Sequence, residues 1–258
     1  MEVKNKMEAI KRQIKFQIAD GKNAFIIFWI ILLAVNTLFY IINGSSTFGS
    51  AGVSFSASFN GAQMEYISVA SGHVISIIIF IIVYSMVMYY ESFPMAISFS
   101  ATRKDFYIGA VIHNILLCLS MAVIQGVLMK LDGFIIEAMG RNPLYEQLIF
   151  NTKENNLLFI IAVLFIIFLF TAAVFNLLGA ALCRLTWKLW LFIGGFLMAI
   201  LNIDSLFKIV NEIFHYIGGR MNPESSFFDW GIMMILISMI FYLLAFLLIR
   251  RMSIRRKG

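Results

Sequence analysis

Charge is scarce in this sequence: Asp, Glu, Lys and Arg make up 13% of its 258 residues, roughly half their share in a soluble domain. The chain therefore has too few charged groups to coat a water-facing globule. Proline is rarer still, with three residues against 26 phenylalanines, which excludes collagenous, disordered and repeat-array chains. Of the two cysteines, Cys118 falls inside an apolar stretch and Cys183 at the end of another, so no external disulfide framework is implied. His73, His113 and His215 are isolated in sequence, and no His-Glu-x-x-His pattern occurs, which removes the usual metal-site signatures. Gly-x-Ser-Gly and Glu-Glu-x-x-x-Arg are also missing, as is the Gly-x-x-x-x-Gly-Lys-Ser/Thr phosphate loop. The chain is thus expected to be non-catalytic, with no metal, no cofactor and no ATP hydrolysis of its own.

What remains is apolar: 61% of the residues, for a mean hydropathy of +0.89. A bilayer core of about 30 Å takes ~20 helical residues to cross. Long apolar runs occupy residues 24–42, 67–90, 106–129, 157–182, 187–206 and 227–249. None shows the polar alternation of a barrel strand, so each is read as a helix that satisfies its own backbone. The expected fold is an all-α membrane protein with a six-span transmembrane domain over residues 24–249. Fifteen of the 20 Lys and Arg residues fall before the first run, in the segments after the second and fourth, or after the last, in a basic tail at 250–258. That asymmetry places both termini in the cytoplasm of a multi-pass plasma-membrane protein. The net charge of +6 then reflects topology and attraction to anionic lipid, and no nucleic-acid partner is implied.

The segment 1–23 is too charged to cross. Val3, Met7, Ile10, Ile14 and Ile18 recur at helical spacing beside Lys4, Lys11, Lys15 and Lys22, which predicts an amphipathic in-plane helix that turns into the first span at Asp20-Gly21. A basic tail that only sets orientation accounts for the same residues. No cleavable signal peptide is expected, because the first apolar run is long enough to span.

The loop 91–105 is unusually apolar, holding Phe93, Met95, Ile97 and Phe99. Pro94 suits the first turn of a short helix and Thr102 suits the cap of the next. Such a helix offers a knob to a partner protein, or lies in the headgroup zone. Outside the membrane, Val53 to Phe59 alternates with period two, which predicts a strand or hairpin unless this is simply a flexible Gly/Ser loop. Residues 130–156 carry Pro143 and mixed charge and are read as one or two short helices. In 204–219, Asp204, Lys208 and Glu212 share one helical edge while Ile209 and Ile213 lie on another, before Gly218-Gly219. That pattern predicts a re-entrant or interfacial helix.

Glu91 ending a span, Phe93-Pro94, a small apolar helix and Thr102-Arg103-Lys104 leading into Phe106 together resemble the cytoplasmic loop of permease subunits of the ABC-2 type (type V, ABCG-like) transporters of Gram-positive bacteria. The chain is similar to their small peptide-exporter permeases, those of the phenol-soluble modulin exporter among them. The resemblance implies a coupling helix that binds a separate ATPase, with Glu91, Phe93, Pro94, Met95, Phe99, Thr102, Arg103 and Lys104 as coupling residues. It further implies two ATPase copies carrying ATP and Mg, a second permease copy as homodimer or homologous heterodimer, and membrane lipids around both. The expected function is export of an amphipathic peptide, antimicrobial or lipid-like substrate. Dimer contacts through the first and fifth spans would involve Asn36 and Gly194, and Asp204, Ile209, Glu212 and Ile213 would form an external lid.

Polar residues inside the runs are costly in lipid and need partners. Asn36, His73, His113, Asn114, Gln125 and Asn176 either line a translocation path or form hydrogen bonds between helices. Gly194-Gly195 permits close helix contact. A gradient-driven carrier or a membrane scaffold without an ATPase is the other reading of the same chain, although no deep pair of charges is present to couple an ion gradient.

Overall fold

A computed structural model describes residues 2–44, 69–99, 101–138, 146–147, 150–185 and 227–250. Six helices account for nearly all of them: α1 (Glu2–Gly44), α2 (Val69–Tyr90), the short α3 (Ser92–Ser98), α4 (Arg103–Ala138), α5 (Leu157–Leu185) and α6 (Phe227–Arg250). Five of these are long and apolar enough to cross a membrane, as expected for an all-α multi-pass protein. They contain the expected runs 24–42, 106–129, 157–182 and 227–249 whole, and the run at 67–90 from residue 69 onward. The expected span at 187–206, the external hairpin around residues 53–59 and the re-entrant segment at 204–219 lie outside the described residues, as do Gly194 and Gly195.

α5 is the central helix and packs on α2, α4 and α6, while α1 packs chiefly on α4. Hydrocarbon offers no hydrophobic drive for helices to associate, so close backbone approach must supply the contact energy. The α5 sequence permits this, because Ala172, Ala173, Gly179, Ala180 and Ala181 are all buried. At Gly179 the approach is extreme: a Cβ there would stand 2.8 Å from Tyr89 Cδ2 and 3.1 Å from the Ser85 carbonyl oxygen of α2. Gly109 of α4 plays the same part against α1, where a Cβ would come within 2.9 Å of Gln13 Cβ.

Three sequence expectations are corrected. First, α1 does not turn at Asp20-Gly21 but runs unbroken for 43 residues, about 65 Å at 1.5 Å per residue. Its buried stripe of Gln17, Gly21, Trp29, Leu32 and Asn36 keeps a spacing of three to four residues, or a multiple of it, across that point. The Tyr84 ring of α2 fills the space a side chain at Gly21 would need, so the glycine serves packing there and not a bend. The side of α1 packed against the protein at this level is polar: Gln17 is 1% exposed, while Met7 and Ile18 of the expected apolar stripe are 55% and 45% exposed. Second, α4 continues past residue 129 to Ala138. Its extension carries Asp132, buried against the start of α2, where the Ala70 amide donates to Asp132 Oδ2 at 3.4 Å. That carboxylate meets the positive end of α2 and one of its unsatisfied amides. Third, the segment before α5 holds a two-residue antiparallel pair, β1 (Glu146–Gln147) with β2 (Phe150–Asn151), where short helices were expected. Asn151 Oδ1 then accepts from the amides of Lys153 and Glu154 at 2.9 and 3.3 Å, a turn that holds the chain back from helix until Leu157.

Buried polar side chains join the spans in pairs. Tyr89 donates to Asn176 Oδ1 at 2.6 Å, linking α2 to α5. Gln125 Nε2 donates to the Ala70 carbonyl at 2.5 Å and ties α4 to α2. The Tyr107 hydroxyl donates to the Tyr242 carbonyl at 2.5 Å, joining α4 to α6.

Two measurements of unfolding in detergent test this packing. Gly179→Val should destabilise the bundle by about 1–3 kcal/mol through overpacking, whereas the same change at Gly72, where an added Cβ would meet no other part of the described structure within 4 Å, should cost far less. Tyr89→Phe should cost about 0.6–1.7 kcal/mol, the range for hydrogen bonds between membrane helices. Equal effects at Gly179 and Gly72, or none at Tyr89, would refute the α2–α5 contact.

Candidate functional site

The most distinctive surface lies where α2 passes into α4 through α3. The Glu91 amide still bonds to the Val87 carbonyl at 3.0 Å, so α2 is hydrogen-bonded up to the break. Pro94 sits in the first turn of α3, where its missing N–H costs nothing. The Ser98 hydroxyl donates to the Met95 carbonyl at 2.6 Å near the end of the helix. Thr102 then caps α4: its hydroxyl accepts from the Asp105 amide at 3.1 Å and donates to Asp105 Oδ2 at 2.6 Å. The expected capping role of Thr102 is therefore visible in the geometry.

α3 has two unlike faces. Ser92, Phe93 and Ala96 are buried, with the Phe93 ring edge-on to Phe106 at 5.2 Å between centroids. Beneath them lies a packed layer of Met88, Tyr89, Tyr107, Ala110, Ala180, Ala245 and Ile249, drawn from α2, α4, α5 and α6. The Ser92 hydroxyl donates to Asp20 Oδ2 of α1 at 2.7 Å. α3 is thus held by α1 on one side and by Phe106 on another. Its outer side presents Met95, 45% exposed, and the residue that caps its C-terminal end, Phe99, 72% exposed. Glu91, Pro94, Thr102 and Lys104 are exposed around them. Arg103 is half-buried and donates from Nη1 to the Arg250 carbonyl at 3.4 Å.

The structure therefore divides the candidate coupling residues. Met95, Phe99, Glu91 and Lys104 form an outward surface with one apolar centre and opposite charges at its edges. Phe93 belongs to the layer beneath, and its aromatic contact is what supports that surface. Spacing alone did not separate the two phenylalanines, because in a seven-residue helix the inward face is chosen by the neighbours and not by a repeating pattern.

The polar candidates inside the spans do not converge on one place. His113 Nε2 and the Tyr84 hydroxyl lie 2.8 Å apart. This pair stands beside a groove of about 290 Å³ between α1 and α4, lined by Ile18, Gly21, Lys22, Phe25, Leu116, Leu117, Ser120 and His113 itself. Asn36, His73 and Asn114 are each buried, at 6%, 5% and 1% exposure, and neither ring nitrogen of His73 has a partner among the described residues. Asn36 is thus covered within this one chain. The exposed side of α1 carries Ile26, Ile27, Ile30 and Ile31 instead. Residues missed by sequence reasoning include Asp20, whose carboxylate reaches α3, and Tyr84, the partner of His113. Nothing in their local spacing marks them, because each acts across more than 25 residues of chain, 72 and 29 respectively. Among the described residues no three His, Cys, Asp or Glu side chains gather as metal ligands.

No family model matches this chain, and neither a curated protein nor a solved structure matches it.

Proposed function

We propose that this chain is the membrane-spanning subunit of an exporter driven by a separate ATPase, and that the outer face of α3 is where the ATPase docks. One observation carries the reading: a short helix between two spans is anchored by Ser92–Asp20 and Phe93–Phe106 while Met95 and Phe99 point away from the protein. A loop with only a connecting role has no need of an apolar outward face on so firm a base. A partner that pressed on α3 would act on α1 through Asp20 and on α4 through Phe106 together. The reading includes a sixth crossing within residues 187–206 and both termini in the cytoplasm, following the Lys and Arg asymmetry. It places two chains, or this chain and a homologous one, with two ATPase subunits that carry ATP and Mg, in the cell membrane. The cargo is an amphipathic peptide or a lipid-like molecule, a class that suits apolar surroundings rich in phenylalanine.

A photo-crosslinking side chain placed at Phe99 or Met95 in the native membrane should capture an ATP-binding protein, whereas the same group at the exposed Ile79, midway along α2, should capture none. Phe99→Asp should abolish co-purification of the ATPase and leave the amount of inserted chain unchanged. Phe93→Asp, buried against Phe106, should instead lower the amount of chain itself, because an unpaired buried charge costs several kcal/mol. Crosslinks to lipid alone from Phe99, with Phe99→Asp neutral, would sink the coupling assignment and favour a carrier or scaffold without an ATPase.

A further inference from the structure

At the α3 end of the bundle, α4 begins while α5 and α6 end, and two adjoining cavities open between them. The larger, of about 750 Å³, is lined by Leu177, Arg184, Leu244, Leu247, Leu248 and Arg250. The smaller, of about 330 Å³, is lined by Arg103, Lys104, Phe246, Ile249 and Arg250. Arg250 borders both, so the two openings form one cationic rim.

Two properties identify what fits there. The rim is positive and uncompensated: among the described residues no carboxylate pairs with Arg103, Lys104, Arg184 or Arg250. The larger cavity also extends from charge into hydrocarbon. Leu177 lies about two turns, or ~10 Å, along α5 from Arg184, and Leu244 lies a similar distance along α6 from Arg250. Leu244 and Leu247 remain 44% and 56% exposed on that wall. A bare anion needs the guanidinium groups and has no use for an apolar wall. A zwitterionic lipid uses the wall but brings a positive group of its own to the rim. An anionic amphiphile satisfies both, since arginine pairs with phosphate through two parallel N–H donors and a basic pocket between helix ends suits an acidic headgroup.

We propose that this cavity binds one anionic glycerophospholipid from the surrounding leaflet. Its phosphate sits between Arg184 and Arg250, and an acyl chain lies in the α5–α6 groove along Leu177, Leu244 and Leu247. The lipid would close the side of the α5–α6 contact that stands open among the described residues. The site is independent of the transport reading, since the proposed phosphate and acyl-chain contacts use Arg184, Arg250, Leu177, Leu244 and Leu247 and neither Met95 nor Phe99; Lys104 alone borders both surfaces.

Native mass spectrometry of the purified full chain tests this with phosphatidylglycerol and phosphatidylcholine of matched acyl chains. The chain should retain one phosphatidylglycerol in preference to phosphatidylcholine by about thirtyfold, the effect of two arginines at a membrane surface. Arg184→Gln with Arg250→Gln should erase that preference. The paired Lys variants should keep most of it, which separates lost charge from lost folding. Leu244→Trp, which fills the groove, should weaken phosphatidylglycerol retention although all charges remain. Equal retention of the two lipids by the unmodified chain, or an unchanged preference in the double Gln variant, would overturn the site. So would displacement of phosphatidylglycerol by millimolar inorganic phosphate together with a neutral Leu244→Trp, because the cavity would then be a plain anion site.

Discussion

The bundle depends on how closely α5 can approach its neighbours. In lipid an apolar side chain gains little by exchanging acyl chains for another helix, so contact must come from dispersion at short range and from hydrogen bonds that lipid cannot replace. α5 supplies both. Gly179 lets the α2 backbone come within van der Waals contact, and Asn176, one turn earlier, accepts from Tyr89. The layer of Tyr89, Ala180, Ala245 and Phe106 formed at that level is also the floor on which Phe93 rests. The position of α3 is therefore inherited from the α2–α5 contact, though no atom of α5 needs to touch the outer face of α3.

Polar groups do the complementary work. Each of the long helices α1, α2, α4 and α5 contributes buried polar side chains, and several reach backbone atoms of another helix: Gln125 and Asp132 both hold Ala70, through its carbonyl and its amide. The start of α2 is thus gripped by α4 at one end of the bundle, while at the other end α3 is tied to α1 through Asp20. A hydrogen bond of this kind is weak in energy but strict in geometry, so it sets the register of helices whose apolar faces would slide against one another at little cost.

The five long apolar helices among the described residues were legible because hydropathy measures transfer to lipid, and that term dominates over 20 residues. Pro94 and Thr102 were legible because backbone chemistry at helix ends is local. The course of α1 was not. Its charged first half reads as a separate element by composition, yet Gln13 and Gln17 pack on α4 at Gly109 and Phe106, a contact invisible until the partner helix is in place. α4 exceeded its apolar run for the same reason, since Asp132 is acceptable where it meets the amide end of α2 and would be a terminator elsewhere. Of the candidate site, the apolar character of α3 was legible and its two-sidedness was not, because choosing between Phe93 and Phe99 requires knowing where Phe106 stands.

The helices are paired out of order along the chain, and this bears on how the protein is made. Gln17 lies near the carbonyl of Phe106, 89 residues downstream, and Tyr89 awaits Asn176, 87 residues downstream. At a synthesis rate of about 5–20 residues per second, each of these polar side chains leaves the ribosome roughly 4–18 s before its partner does. During that interval it must be sheltered by the insertion machinery, by water near the headgroups or by a temporary neighbour. The early helices therefore enter the bilayer as unfinished surfaces, and the release of α5 is the step that lets the first half of the chain settle.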